Sequence, residues 1–535
     1  MIYNFIVKAF TKNLSLILQS RKILLLITIL FFIPIFYFYY NNAVSFHFID
    51  EYNNFLAGYF LLKGHTLYSQ IFFQHQPLMA YISYVLQKIL HPGTLYKLVL
   101  YHRMTIVAAA FVFDLLLVYR FRLIGLGFAF IFELTKYYLF GSTFLAESIV
   151  IYPIVYVFGL TWEVLQKKKI ADSDIWLGTF FTWFVIFMRE PYIPTILILY
   201  AILLLPKRSA KTKISSVIVL LILSAIVVVG LPLRDYLFEI TTVNAVGVVA
   251  GEVQRAHLAG IGIISIFLYP IIILFQGMLN YFRGVLVLLD LTFLLALFTF
   301  IAKTKQWKNG LILLVILGIA NIRLTPPGTI FFGAYHMLVW YGLFVFITML
   351  LVSKLSTLKL HTAIRLPIML LTILLGIFIL LPANSLLWTK LDKQAVFTTN
   401  YGPYYTNGAV VQALADPQTT VFVDGWDSLI YWQADQKVAY PYLFYYLPMN
   451  NFTIYTNART KMFKENPPEF VYTLCKREKN TLIVEETYGQ NVKGNYDAFY
   501  FGKIPTCLFI QKSKINTIPT TQWEKIKPFG YYLKT

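Results

Sequence analysis

An acidic pair, Asp50 and Glu51, lies about ten residues beyond the first long apolar segment of the chain. His75 follows in the same stretch, and a third acid, Glu147, stands just before a later apolar segment. A carboxylate within hydrogen-bond reach of an alcohol can take its proton as a general base. Cations and hydrogen-bond donors stabilise the charge on a departing phosphate. These residue types predict a group transfer in which a hydroxyl attacks and a phosphate leaves.

Several cationic or ionisable side chains are candidate partners for that phosphate, namely His75, Arg103, Arg189, Arg323 and His336. Each candidate also has a simpler interpretation. Asp50 and Glu51 could be a solvated cap on a helix that opens after Ile49, because acids favour helix N-termini. Glu147 could sit in interfacial water. Arg189 could form an internal ion pair with the adjacent Glu190.

The composition indicates what must position these residues. Of the 535 residues, 58% are hydrophobic and 13% are charged, whereas globular domains carry roughly 25% charged residues. A membrane-spanning helix needs about 20 mostly apolar residues, and such segments recur over most of the first 383 positions. The net charge of +20 does not indicate nucleic-acid binding, because the cations stand at the ends of the apolar segments.

Short cytoplasmic loops carry an excess of Lys and Arg, and this rule fixes the expected topology. About eleven spans put every basic group on one side, with the N-terminus inside and the C-terminus outside. Two more apolar stretches, 76–90 and 262–281, are then expected to lie on the protein without crossing, and the count reaches thirteen if both cross. The expected spans lie near 21–40, 100–119, 123–141, 148–166, 173–189, 191–206, 214–233, 284–302, 309–323, 334–352 and 366–383.

We therefore predict an all-α transmembrane domain over residues 1–383, with a first outer loop at 41–99, and a small extracytoplasmic α/β domain over 384–535. Short runs such as TVFVDGW, LIYWQ, EFVYTL and TLIVEE, separated by turn residues, predict strands with intervening helices in the second domain. Cys475 and Cys507 both fall there. They are either small buried apolar residues or a disulfide, which an extracytoplasmic compartment permits.

Other motifs are missing or remain open. The sequence has no GxxxxGK loop, which argues against an ATP-driven pump, and no CxxC spacing for a structural zinc. Four acids lie within or near expected spans, where ionisable groups usually face the protein interior. These are Asp114, Glu133, Glu163 and Asp290, and either function or internal packing would explain them.

The first outer loop resembles that of the GT-C superfamily of membrane glycosyltransferases. The shared features are the Asp-Glu pair, an Ala-Gly-x5-Gly helix ending at Gly64, Tyr68, and the turn that begins at His75. The closest likeness is to bacterial relatives of protein O-mannosyltransferases and of the lipid A aminoarabinose transferase. It extends to Glu147 and to a terminal domain containing VDGW, and it is strongest over residues 45–165.

The resemblance implies an inverting transfer of a sugar from a polyprenyl-phosphate carrier to a hydroxyl of a lipid, glycan or protein, on the outer face of the bacterial cytoplasmic membrane. It implies Asp50 as the base, Glu51 and Glu147 as further acids, and His75 as a partner of the carrier phosphate. Gln76 departs from the family pattern, in which the first proline of the turn is common. Some members bind a divalent cation and some do not, so no metal ligand is assigned.

Two other classes share parts of this pattern. A flippase or secondary transporter would have a similar number of spans, but typically shows inverted repeats and midplane charges, and no repeat is detectable here. A polymerase or ligase of lipid-linked glycans uses the same carrier lipids and moves a whole oligosaccharide. The sequence separates this last class only weakly from a monosaccharide transferase.

Overall fold

The structure is a computed structural model, and it describes residues 20–205, 210–249, 280–321, 334–358, 362–388, 391–473, 475–478, 481–484, 492 and 494–534. The fold is mostly helical, with 72% helix and a small C-terminal sheet. The chain divides into two compact units. Unit 1 comprises 1–43, 103–227 and 252–390, and unit 2 comprises 44–102, 228–251 and 391–535. The domain boundary expected at 383/384 stays a prediction.

The helices up to the end of the apolar region are α1 Arg21–Asn42, α2 Asp50–Leu62, α3 Leu78–Leu90, α4 Leu95–Phe121, α5 Leu123–Thr135, α6 Glu147–Leu165, α7 Asp172–Met188, α8 Ile193–Leu203, α9 Ala210–Val229, α10 Leu233–Leu237, α11 Asn280–Thr304, α12 Trp307–Ala320, α13 Leu338–Ser356 and α14 Thr362–Trp388. A π-helix occupies Phe238–Val249. The C-terminal helices are α15 Lys393–Leu414, α16 Leu429–Ala434, α17 Thr453–Glu465, α18 Lys512–Ile515 and α19 Thr520–Ile526.

Every one of the eleven apolar segments that were expected to span contains a helix. Among the described residues, six helices are long and apolar enough to cross a bilayer. They are Arg21–Asn42, Leu95–Phe121, Glu147–Leu165, Lys211–Val229, Gly284–Thr304 and Tyr335–Ser356. The expected count of eleven spans and their orientation stay predictions. Helix α3 has 13 residues and is about 20 Å long, shorter than the roughly 30 Å hydrocarbon core.

Helix packing in unit 1 centres on two helices. Helix α13 packs against α5, α6 and α11, and α6 also packs against α7 and α8. A charged network joins α4, α6 and α7. Arg120 of α4 donates from Nη2 to Glu163 of α6 at 2.5 Å and from Nε to Asp174 of α7 at 3.0 Å. Glu163 is therefore a packing partner, one of the two roles expected for it.

In unit 2, helices α2 and α3 form a closely packed pair, and α15 packs against α16 and α19. The strands are β1 Thr420–Val423, β2 Lys437–Val438, β3 Phe470–Tyr472, β4 Cys475–Glu478, β5 Thr481–Val484, β6 Tyr496–Phe501, β7 Ile504–Gln511 and β8 Tyr531–Leu533. The main sheet has the order β2-β1-β3-β7-β6-β8. It is mixed, because β1 pairs in parallel with β2 and β3 while the remaining pairs are antiparallel.

Two C-terminal details answer questions that the sequence raised. The run LIYWQ was predicted to be a strand, and that prediction is wrong: it forms helix α16, which buries Leu429, Ile430 and Ala434 and ends at the left-handed residue Asp435. A five-residue apolar run carries no periodicity that separates helix from strand. Cys475 and Cys507 form a disulfide between β4 and β7. Of the two alternatives for these cysteines, separate buried residues or a disulfide, the structure has the disulfide.

Candidate functional site

The acidic pair opens helix α2 in unit 2. Glu51 is completely buried, whereas Asp50 is partly exposed. The N-cap residue is Ile49, which makes no side-chain cap hydrogen bond, so both acids stand in the first turn. A carboxylate there interacts favourably with the helix dipole, but full burial shows that Glu51 is not a solvated cap. Asp50 is the member of the pair that solvent or a substrate can reach.

Two glycines set the position of α2. A Cβ atom on Gly58 would stand 2.4 Å from Ser83 Oγ of α3, so only glycine allows the two helices to approach this closely. Gly64 has a φ of +91° and ends α2. Its N–H donates to Leu61 and that of His65 to Phe60, which is the hydrogen-bond pattern of a Schellman motif. Both glycines of the Ala-Gly-x5-Gly motif therefore have a structural role.

His75 lies in an irregular segment before α3 and is partly exposed. Its backbone carbonyl accepts a hydrogen bond from the Tyr68 hydroxyl at 2.8 Å. Its ring meets Phe73 edge-to-face, with the ring centroids 5.9 Å apart. Tyr68 itself has a left-handed φ of +70°, which is uncommon for a residue other than glycine. The turn therefore holds the backbone of His75 in place and leaves the residue partly exposed.

Side chains from elsewhere in unit 2 hold the residues on both sides of His75. Tyr236 donates to Gln76 Oε1 at 2.9 Å, and Tyr446 donates to Gln74 Oε1. Burial raises the pKa of Tyr446, and the negative charge of Asp50 raises it further, so this phenol stays neutral and able to donate. Tyr446 is thus near enough to Asp50 for that charge to affect its pKa, and it binds the segment that carries His75.

Glu239 is a further acid of this region that the sequence did not single out. Its carboxylate accepts from the backbone N–H of Phe73 at 2.6 Å and from the Tyr455 hydroxyl at 3.2 Å. Burial raises the pKa of Glu239 well above its usual range, against the effect of these two donors. Neither neighbouring sequence nor spacing signals the contact, because 166 positions separate Glu239 from Phe73.

The other predicted acid, Glu147, lies in unit 1 and begins helix α6. It is buried, and its Oε1 accepts from Arg189 Nε at 2.8 Å. Arg189 Nη1 donates to Glu190 at 3.1 Å. The internal ion pair that the sequence allowed for Arg189 and Glu190 is present, and it includes Glu147. Two residues with separate predicted roles, an acid and a phosphate partner, thus neutralise each other here.

Two further phosphate candidates, Arg103 and His336, also belong to unit 1. Arg103 is buried and donates from Nη1 to the carbonyl of Ala43 at 2.6 Å, where its charge meets the C-terminal end of α1. His336 is buried, and its backbone carbonyl accepts from the Tyr192 hydroxyl at 3.5 Å. Arg323 lies outside the described residues.

A second buried ion pair involves the aspartate of the VDGW motif in unit 2. Asp424 pairs with Arg459 of α17 at 2.5 Å. The Arg459 guanidinium also lies over the rings of Phe422, Tyr445 and Phe463. Burial raises the pKa of Asp424 to about 7, although Arg459 opposes that shift. The motif therefore joins the sheet to α17.

Unit 1 contains a buried charged cluster, of which the sequence analysis identified only some members. Lys136 is fully buried, with its Nζ 2.7 Å from Glu133 Oε2. The sequence flagged Glu133 and Asp114 but not Lys136. The signal was nonetheless present, because an acid and a lysine three residues apart within an apolar segment share one helix face.

Comparison with known proteins adds no family. No family model matches the chain, and no curated protein matches it. Among the described residues, no three His, Cys, Asp or Glu side chains stand where they could hold one metal ion. The site geometry in each unit therefore carries the functional argument.

Proposed function

We propose that this chain is an integral-membrane, inverting glycosyltransferase that moves a sugar from a polyprenyl-phosphate donor to a hydroxyl acceptor on the outer face of the cytoplasmic membrane. One observation supports this most: unit 2 contains both a reachable acid, Asp50, and the partly exposed His75. The charge of Asp50 raises the pKa of Tyr446, and the Tyr446 hydroxyl donates a hydrogen bond to Gln74, next to His75. A base and a phosphate partner in one compact unit are the minimum that the reaction needs.

In the proposed reaction, Asp50 takes the proton of the acceptor hydroxyl as a new bond forms from that oxygen to the anomeric carbon. The bond from this carbon to the phosphate oxygen breaks, and attack from the opposite face inverts the centre. His75 stabilises the negative charge that develops on the carrier phosphate. Glu51 supports Asp50 from within the first turn of α2. Any divalent cation would add to the stabilisation of the phosphate.

The remaining candidates have different roles in the proposed reaction. Glu147 acts through Arg189, as a positioning residue. Arg103 holds the end of α1 and contributes positive potential. Arg323 and His336 remain proposed partners of the carrier phosphate.

The membrane setting rests on the apolar helices and the positions of the cations. Six described helices have the length and composition of spans, and basic groups stand at the ends of the apolar segments. The disulfide between Cys475 and Cys507 supports an extracytoplasmic C-terminal domain, because disulfides persist in oxidising compartments. We propose eleven spans, with the N-terminus inside and the C-terminus outside.

A transporter of lipid-linked glycans is the second candidate, and one observation favours it. The buried cluster of Asp114, Glu133 and Lys136 in unit 1 has the intramembrane charges that transporters use for coupling. The two functions differ in their product. A transferase cleaves the sugar from its carrier, whereas a flippase delivers the intact carrier lipid to the other leaflet.

The test is transfer of label in sealed proteoliposomes that contain the full chain and polyprenyl-phosphate [¹⁴C]hexose. We expect label to leave the carrier and to appear on an added extract of glycan, lipid or protein acceptors, with free polyprenyl phosphate as the second product. Intact labelled carrier that only changes leaflet would support the transporter. No change of either kind with any hexose supplied would contradict both functions.

A further inference from the structure

The charged cluster in unit 1 involves four side chains from consecutive parts of the chain. Asp114 comes from α4, Glu133 from α5, Lys136 from the turn after α5, and Tyr152 from α6, and all four are completely buried. We call these four residues the Asp114 cluster. Tyr39 of α1 adds a hydrogen bond to the backbone carbonyl of Glu133 at 2.8 Å.

Within the cluster, Lys136 already has its partners. Its ammonium group lies 2.7 Å from Glu133 Oε2 and donates to the Tyr152 hydroxyl at 2.8 Å. The Tyr152 hydroxyl in turn donates to Glu133 Oε1 at 2.5 Å. The rings of Tyr39 and Phe132 also lie within 6 Å of the ammonium, in the range of cation–π contacts. One lysine is thus neutralised by one glutamate.

Asp114 is a second carboxyl group beside this pair, and none of the described residues donates a hydrogen bond to either of its oxygens. The titratable groups that face it are Glu133, Lys136 and Tyr152. Two carboxylates with one ammonium would leave a net negative charge in a buried site within the helix bundle. A carboxylate that has no ion-pair partner of its own and accepts no hydrogen bond is among the most costly groups to bury.

We propose that Asp114 is a proton-binding site of the helix bundle, with the cluster taking up one proton from solvent on a carboxylate oxygen of Asp114. The new O–H bond removes the surplus negative charge. It also turns a carboxylate oxygen that accepts no hydrogen bond into a hydrogen-bond donor. The positive charge of Lys136 disfavours a bound metal cation at the same place. Release of the proton would leave negative charges on both Asp114 and Glu133. Because these charges repel each other, the packing of α4, α5 and α6 depends on pH. This inference does not rest on the transferase proposal.

Infrared spectroscopy of the full chain in lipid nanodiscs at neutral pH tests the proposal. We expect Asp114→Asn to remove one carbonyl band of a protonated carboxylic acid and to leave the carboxylate bands unchanged. Asp290→Asn is the matched control, because Asp290 of α11 is equally buried and also accepts no hydrogen bond from the described residues. Its variant should remove a different acid band and leave that of Asp114 in place. Loss of carboxylate intensity in Asp114→Asn would overturn the proposal.

Thermal unfolding supplies the second measurement. An amide mimics the neutral acid, so Asp114→Asn should fold and unfold at an unchanged or higher temperature at neutral pH. The wild-type midpoint should fall more steeply with rising pH than that of the variant, because only the folded state holds this proton. Failure of Asp114→Asn to fold would contradict a neutral Asp114.

The salt dependence of the same midpoint tests for a metal ion. If sodium chloride raises the wild-type midpoint, choline chloride does not, and Asp114→Asn shows no such response, the site binds a metal ion and the proposal is overturned.

Discussion

At the scale of single residues, the two predicted acids differ in what they can do. Asp50 is partly exposed and belongs to the same unit as His75, whereas Glu147 is buried and bound by Arg189. A general base must be reachable by the proton that it takes. Asp50 meets that condition, and Glu147 is better suited to holding Arg189 in place.

The Glu147 and Arg189 pair can be tested by a double-mutant cycle. Arg189→Gln leaves the buried Glu147 without this partner and should destabilise the protein by roughly 3–5 kcal/mol. Glu147→Gln should cost less, because Arg189 still pairs with Glu190. The double variant should lose less than the sum of the single variants. Thermal midpoints in detergent measure this. Lys461→Gln, which disrupts an exposed pair with Glu465, is the control and should shift the midpoint little. Additive losses would show that the pair is not coupled.

The candidate site residues of unit 2 could be proposed from the sequence, and the reason is local. Asp50, Glu51 and His75 lie within 26 consecutive positions whose pattern resembles one known loop. The contacts of Glu239 with Phe73, and of Arg189 with Glu147, join residues that are 166 and 42 positions apart. Pairing at such distances follows from the tertiary fold, which one sequence does not reveal.

At the scale of elements, the apolar helices were predictable, because the length and composition of a segment are enough to indicate such a helix. The helix at LIYWQ and the lack of space for a side chain at Gly58 could not be predicted. Both depend on which neighbour packs against the residue. Helix α2 is the element that matters most for the proposed chemistry, since it presents Asp50 and Glu51 in its first turn.

Gly58→Ala tests whether the approach of α2 to α3 matters for function. The new methyl group would collide with Ser83, and such overpacking typically costs about 1–3 kcal/mol. We expect a lower thermal midpoint and reduced transfer of sugar. Gly93→Ala is the control, because a Cβ there meets nothing within 4 Å. Equal behaviour of the two variants would show that the close contact is unimportant.

The disulfide is the second element-scale prediction. Its cysteines are 32 positions apart, and closing a loop of that length stabilises a folded chain by about 3–4 kcal/mol in the chain-entropy account. Cys475→Ser with Cys507→Ser should therefore lower the unfolding temperature of the C-terminal sheet. Protein purified from membranes without reductant should show no alkylated cysteine by mass spectrometry. Full alkylation would contradict both the bond and an oxidising location.

At the scale of the whole molecule, the topology makes a prediction about sidedness. Lys168 lies between two expected spans on the cytoplasmic side, and Lys503 lies in the C-terminal domain; both are exposed. In a variant without Cys475 and Cys507, a cysteine placed at Lys503 should react with a membrane-impermeant maleimide in intact cells. One at Lys168 should react only after the membrane is opened. The reverse pattern would place the proposed active site in the cytoplasm.

The central claim is that Asp50 takes the acceptor proton. It is tested most directly by the turnover of polyprenyl-phosphate hexose by Asp50→Asn. The comparisons are the wild type and Asp497→Asn, a partly exposed aspartate of β6 that lies 3.7 Å from Lys512 Nζ. We predict that Asp50→Asn lowers turnover by roughly 100-fold or more without lowering the thermal midpoint, while Asp497→Asn keeps wild-type turnover. Wild-type turnover in Asp50→Asn would contradict the claim.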